Sequence, residues 1–478
     1  TDGSGNTSWA AAGGGVTTDG QNNTVVGTNA GDNFSGTSAY RNSLFGYEAG
    51  GSITTGDYNN CFGGYAGYNI TTAQHNIYIG AEAGYYTTTG GYNTAVGSDA
   101  GKANITGSDN VCLGQRAGWK NLQSNNTYIG TNAGYLMKNA NYNVAVGGKA
   151  MKGVTDAEGD KNIAIGYEAM ESLSSGDSNI AIGYYAMSGS TLTGDNNIAI
   201  GNEAGENLTS GGHNICIGNQ AGEEITTAYS NVCIGRNTGD DITTGGSNTL
   251  VGPYAGGSLT TGASNVALGN SALNTATTGF GNVAIGESAM EVSTGYNTVA
   301  IGRYALKSHT SSIMNTAVGT NSLYSTTTGE KATCVGYNAG YSQTTGQRNV
   351  FIGHYAGDAS GAGGNNLTTG SNNIIIGSQA GPSSATVNNE ITLGDTNITK
   401  FRIPGINVTL KDNGVVTNGH VLTVDANGEA GFAAAAGAVE GVFYENSQTL
   451  SSNYTVTNGK NAMAAGPITI ASGVTVTV

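Results

Sequence analysis

One pattern recurs almost from end to end of this chain: Asn, three mostly apolar residues, Gly, two variable residues, Ala, then Gly, Met or Leu. Clean copies are Asn162-Ile-Ala-Ile-Gly166-Tyr-Glu-Ala169-Met170 and Asn214-Ile-Cys-Ile-Gly218-Asn-Gln-Ala221-Gly222. Anchored on the central Gly there are 22 copies, from Gly27 to Gly394, and fifteen of the 21 spacings are 17 residues. The others are 16, 18 or 19, apart from one of 24 between Gly353 and Gly377, where Ser360-Gly-Ala-Gly-Gly-Asn reads as a loop insertion. So short a period excludes helical-pair repeats of roughly 33 to 47 residues and propeller blades of roughly 40 or more. It fits one coil of a parallel β-solenoid or β-roll: an apolar strand, a glycine bend, a short second segment ending at Ala, and a polar turn such as Thr88-Thr-Gly90. About 22 coils at the ~4.8 Å strand spacing make a rod of roughly 105 Å.

The residue types follow from stacking. Asn stands four before the anchor in 19 of 22 copies, with Thr298, Ala332 and Glu390 as departures. Amides stacked in register hydrogen-bond to the coils above and below, and Asn tolerates the dihedrals of a corner. The anchor Gly permits positive φ and close backbone approach. Ala three residues later, in 19 of 22 copies, marks a place where only a small side chain fits. The corner and core set is Asn162, Gly166, Ala169, Asn179, Gly183, Asn197, Gly201, Asn214 and Gly218.

A strand buried on one face alternates apolar and polar, yet Ile163-Ala164-Ile165 and Val266-Ala267-Leu268 are apolar throughout. Both faces are therefore expected to be covered, with the flanking pair filling the coil and the middle residue facing sister chains about a shared axis, most simply in a homotrimer. On this reading Ala164, Ala181, Ala199 and Ala267 are subunit-facing, and so are all five cysteines, Cys61, Cys112, Cys216, Cys233 and Cys334, each of which sits two before an anchor. Cys here acts as a small hydrophobe. An odd total without CxxC or Cys/His ligand spacing argues against disulfide or zinc frameworks.

Composition narrows the partners. The 478 residues include 80 Gly but only four Pro and no Gly-X-Y period, which excludes collagen. A net charge of −15 repels phosphate backbones and anionic leaflets, so neither nucleic acid nor a membrane surface is expected as a partner. No stretch approaches the roughly 20 apolar residues of a membrane helix. The chain opens on Thr1 without a basic or apolar segment, so it reads as a processed product or part of a longer polypeptide.

The strings Asn162 to Gly166, Asn179 to Gly183 and Asn197 to Gly201, with the one-longer Asn297-Thr-Val-Ala-Ile-Gly302, resemble the repeats of YadA-like heads of trimeric autotransporter adhesins. The resemblance covers roughly residues 21–398 and implies a parallel β-roll in a three-chain bundle, although the repeat here is longer than is usual for that family. The flanks differ. Val421-Leu-Thr-Val-Asp425-Ala-Asn-Gly428-Glu-Ala-Gly-Phe432 and the opening Thr1-Asp2-Gly-Ser-Gly5 to Trp9 are similar to a segment common in tail-fibre and structural proteins of marine bacteriophages, and the last segment, Glu445 to Tyr454, Asn458 to Ile470 and Ser472 to Val478, resembles a C-terminal module of such proteins. The expected organisation is an N-terminal linker (1–20), the solenoid (21–398), a neck or linker (399–436) and a small C-terminal β module (437–478), in which Ile468/Ile470 and Val474/Val476/Val478 read as half-buried strands.

Little chemistry is legible. His75, His213, His309, His354 and His420 share no repeat position, and most read as solvated loop residues. No phosphate loop, GxSxG elbow or helical period is present. Glu223-Glu224 and Asp240-Asp241 read as turn charges, and Asp425-Ala-Asn427-Gly428 lacks the remaining ligands of a calcium loop. No metal, cofactor or catalytic activity is expected. Tyr outnumbers Phe 25 to 8, and Tyr47, Tyr65, Tyr167, Tyr184, Tyr254, Tyr304 and Tyr355 follow an anchor by one or two residues, an exposed stripe suited to edge packing or to surface binding. The functional expectation is an extracellular virion fibre, a bacteriophage tail fibre or fibre shaft, joined to other tail or baseplate proteins and contacting a host-surface glycan or protein. The alternative is a bacterial trimeric adhesin or extracellular filament.

Overall fold

The computed structural model describes residues 17–35, 38–311, 313–358 and 365–403, with shorter segments between 408 and 477. Most of the 360–365 insertion, residues 1–16 of the linker, and Asp425 to Gly428 lie outside the described residues. Two compact units divide at residue 395. The first is the solenoid. After β1 (Thr17–Thr18) come 22 three-residue strands, β2 (Thr24–Val26) to β23 (Ile391–Leu393), each parallel and in register with the next, with about 21 turns between them. β1 pairs antiparallel with β2 and so occupies the ladder edge of the first coil. No helix is present among the described residues, and none is long and apolar enough to cross a membrane.

The strand is the only regular element of each coil. The expected second segment is a run of turns, yet its backbone still bonds coil to coil: Gly218 N–H donates to Ile200 O (2.8 Å) and Gln220 N–H to Asn202 O (2.9 Å). Each coil turns its corners through left-handed residues that are not confined to Gly. In one coil these are Glu168 (φ 57°), Met170 (φ 54°) and Ser178 (φ 59°). Such a residue costs about 1–2 kcal/mol, and the stacked hydrogen bonds on either side hold it in place.

The anchor glycines behave as expected. Gly166, Gly183, Gly201 and Gly218 have φ between 138° and 142°, a region almost closed to other residues. They are also stacked on one another: a Cβ on Gly63 would lie 2.6 Å from Gly80 O and 2.7 Å from its carbonyl carbon. Ala169 is fully buried, and so are the ladder asparagines Asn162, Asn179, Asn197 and Asn214. The amide ladder has a definite form. Asn214 N–H donates to Asn197 Oδ1 of the preceding coil (3.0 Å), while Asn214 Nδ2 donates to Ala228 O at the end of its own coil (2.8 Å). Where the ladder residue changes, the preceding amide still finds a backbone donor: Thr298, Ala332 and Glu390 N–H donate to Asn282, Asn315 and Asn373 Oδ1. A second ladder runs through the polar turns, with Thr209, Thr226, Thr243 and Thr260 Oγ1 each donating to a carbonyl of the next coil.

The strand faces are the reverse of the expectation. The middle residue points into its own coil, so Ala164, Ala181, Ala199, Ala267, Cys61, Cys112, Cys216, Cys233 and Cys334, expected to be subunit-facing, are buried inside the single chain and not on its outward face. The flanking residues point outward, as at Ile165 and Ile200, which are 39% and 37% exposed. The physical reason is the narrowness of the coil, which leaves one interior space shared by the middle residue and the residue four after the anchor. All seven coils with Met or Leu at the latter position, among them Met151, Met170, Leu273 and Leu323, have Ala in the middle. Where the middle residue is larger, as with Leu44, Tyr78, Tyr128, Leu250 or Phe351, its partner is Gly. A Cβ on Gly50 would lie 2.8 Å from Leu44, and one on Gly357 would run into the Phe351 ring.

The second unit contains a four-stranded sheet of β24 (Lys400–Ile403), β25 (Val408–Lys411), β26 (His420–Val424) and β27 (Glu429–Ala434) in the order β24-β25-β27-β26. Two short parallel pairs follow, β28 (Thr449–Leu450) with β30 (Thr469–Ile470) and β29 (Tyr454–Thr455) with β31 (Val476–Thr477). The burial expected at Ile470 and Val476 lies outside the described residues.

Candidate interaction surfaces

Two kinds of surface arise from the repeat, and the first is aliphatic. Because the strand turns its flanks outward, the residue before each anchor forms a row down the sheet, and it is apolar in all 22 coils: Val or Ile in most, Leu or Phe in the rest. The row two residues earlier is Ile or Val in 14 coils and Thr, Ser or Asn in the other eight. With about 21 steps of ~4.8 Å and row centres ~7 Å apart, the strip covers on the order of 700 Å². An isolated soluble chain rarely leaves more than a few hundred Å² of contiguous apolar surface open, and a stable interface takes roughly 800 Å² from each partner.

The second kind is aromatic. Of the tyrosines expected on a surface stripe, Tyr47, Tyr167 and Tyr184 are exposed, and Tyr65, Tyr254, Tyr304 and Tyr355 are half-buried. Those in successive coils meet: Tyr167 and Tyr184 stack at 5.8 Å, and Tyr47 meets Tyr65 edge-on at 5.2 Å. Tyr65 continues into Tyr68 and Tyr85, so that five tyrosines crowd the coils anchored at Gly46, Gly63 and Gly80, Tyr86 being the fifth. Tyr47 is pushed up to about 12 by hydrogen bonding to Glu48 and then to Tyr65. A further column was not expected from the sequence. Tyr58, His75 and Tyr92 stand one before the ladder Asn in consecutive coils and stack at 4.7 and 4.9 Å, with the Arg41 guanidinium over Tyr58. Its signal was the shared offset from Asn59, Asn76 and Asn93. His213 has the same offset from Asn214, so two of the five histidines, His75 and His213, do share a repeat position.

The remaining polar clusters lie inside the coils and on their turns. His309 is not a solvated loop residue but is buried in the coil, its Nδ1 2.8 Å from Ser293 Oγ, also buried, so this Ser-His contact is a core hydrogen bond closed to solvent. Glu206, Glu223 and Asp240 repeat at one coil position; Glu203, Glu206 and Glu223 bring carboxylate oxygens within 4.8 Å of one another. Burial, then neighbouring carboxylates, raise Glu206 and Glu223 above the ordinary range. Elsewhere such carboxylates have partners: Lys149 with Glu168, Lys152 with Glu171, Arg303 with Glu287. The thiols of Cys61 and Cys112 are pushed up to about 12 by burial, which leaves them un-ionised at neutral pH and inert as nucleophiles.

The chain matches no protein-family model, no curated protein and no solved structure.

Proposed function

We propose that this chain is the shaft of a homotrimeric fibre, a structural fibre of a bacteriophage virion that presents or forms a host-attachment surface. The observation that carries the reading is the aliphatic strip, which runs the length of the solenoid and is exposed or half-buried in the single chain. Identical chains offer identical strips, so cyclic closure buries them in register. Two rows, each meeting a different neighbour, suit a ring of three. In this assembly the flanks form the interface and the middle residue lies inside the coil.

Attachment follows from repetition. Aromatic clusters on three parallel chains provide many weak contacts, and multivalency converts these into avidity without one strong site. Tyrosine edges and hydroxyls offer a host glycan or protein both apolar area and hydrogen bonds. The mass of the full chain in solution, measured by light scattering, tests the assembly: about three times 47.9 kDa is expected, and a stable monomer at micromolar concentration refutes it. Adsorption to host cells tests the attachment role and is expected to fall when Tyr47, Tyr65, Tyr85 and Tyr86 are changed to Ser together; unchanged adsorption assigns it elsewhere.

A further inference from the structure

Of the five cysteines, only Cys216 and Cys233 occupy neighbouring coils. They are partners in the register of two parallel strands, β13 (Ile215–Ile217) and β14 (Val232–Ile234), and both are buried middle residues pointing into the coil. In-register neighbours have Cα atoms about 4.8 Å apart, inside the roughly 4.4–6.8 Å range that a disulfide spans. The two sulfurs also lie on the same side of their strands. A Cβ on Gly222 would lie 2.7 Å from Cys216 Sγ, and one on Gly239, at the same position of the next coil, 2.8 Å from Cys233 Sγ. Slack exists on the Cys216 side, because nothing comes within 3.6 Å of a Cβ placed on Gly205 in the preceding coil. The other three cysteines have no such neighbour: Cys61 lies between Leu44 and Tyr78, Cys112 between Ala95 and Tyr128, and Cys334 between Ala317 and Phe351.

We propose that Cys216 and Cys233 form an intrachain disulfide that staples two consecutive coils when the chain meets a small-molecule disulfide such as oxidised glutathione. This does not depend on the fibre reading, since both sulfurs lie inside one chain. One protein thiolate attacks a sulfur of the small disulfide, forming a mixed disulfide and releasing one small thiolate. The second protein thiolate then attacks the protein sulfur of that bond, closing the Cys216–Cys233 bridge and expelling the other small thiolate. The protein dithiol loses two electrons, the small disulfide gains them, and the two thiol protons end on the released thiols. The Cys233 thiol is held well above the ordinary range, first by its contact with Cys216 and then by burial, so exchange takes place while the two coils are parted, during folding or local opening. Closure links residues 17 apart, one full coil, and removes the freedom of those coils to separate.

The full chain is treated with oxidised glutathione in two arms, one starting from folded protein and one refolding from denaturant. Each is denatured with N-ethylmaleimide and no reductant, and the intact mass is measured. Three maleimide adducts out of five cysteines are expected in at least the refolding arm, with a peptide linking Cys216 to Cys233 and five adducts after reduction. Cys216→Ser is expected to give four adducts in both arms. Five adducts on the wild-type chain in both arms, a persistent glutathione adduct at either cysteine, or a link between another pair overturns the proposal.

Discussion

A single methyl group separates three kinds of glycine in this solenoid. Gly63→Ala places a Cβ against the backbone of Gly80, where no side chain can give way, at a φ of 139°. The expected loss is about 3 kcal/mol or more, read as a lowered denaturation midpoint. Gly222→Ala and Gly205→Ala share a left-handed backbone, φ 60° and 56°, so the conformational cost is common to both and cancels in the comparison. Only the packing differs. At Gly222 the new carbon meets Cys216 Sγ and Ile225 Cδ1, both at 2.7 Å; at Gly205 nothing is nearer than 3.6 Å. Gly222→Ala is therefore expected to be the less stable of the two by about 1–3 kcal/mol, and equal midpoints would refute the shared-interior account. That account was available in the sequence as an exchange, Ala with Met or Leu against large residues with Gly. The apolar character of the whole Ile163-Ala164-Ile165 triplet concealed it, because hydrophobicity alone does not say which face of a strand is inside.

At the scale of one coil, stability rests on ladders more than on the three-residue strand. Asn214→Asp retains an acceptor for Asn231 N–H but replaces the Nδ2 donor to Ala228 O with a carboxylate in a fully buried site. Burial raises the carboxyl pKa above its unfolded value near 3.9. The penalty is then largest at neutral pH and is relieved as pH falls through the raised value, so the variant is expected to regain stability in acid relative to the wild type. Natural carboxylates divide by the same logic. Asp156 is held low by Lys120 and Lys138; at Glu168 burial pushes up, but the Lys149 pair and the Tyr167 and Tyr185 hydroxyls outweigh it. Their contribution is present above the unfolded pKa and lost as pH falls through the lower folded value. Glu206, Glu223 and Asp240, raised first by burial and then by neighbouring carboxylates such as Glu203, Glu224 and Asp241, show the opposite sign. Hydrogen-exchange protection is expected to rise across 203–241 between pH 7 and about pH 4.5, and to fall across 149–171 below about pH 4. A parallel change in both segments would contradict the assignment. The coil period, the Asn ladder and the anchor bend were readable from spacing alone. The left-handed corners were not, since Glu168, Met170 and Ser178 are not residues that local preference sends there; stacking imposes the conformation, and stacking is a property of neighbouring coils.

For the whole molecule, the inward and outward faces make separable demands on the same three residues. Ile200, Ile217 and Ile234 lie in the outer row of consecutive coils, whereas Ala199 is fully buried inside its coil. Changing the three isoleucines to Lys puts three charges on the strip in every chain, and nine around a common axis in a trimer, where like charges brought together without partners cost several kcal/mol. The single chain has no such obstacle, since lysines on an open sheet face remain in water. The expected result is a particle of one-chain mass with its β-sheet circular dichroism intact. Ala199→Lys makes the contrast: it buries one charge inside the coil, and loss of sheet signal is expected together with loss of assembly. If the triple variant instead keeps three-chain mass, the aliphatic strip is not the surface that joins the chains, and the case for a multi-chain shaft would have to be sought on the turn faces where the tyrosines cluster.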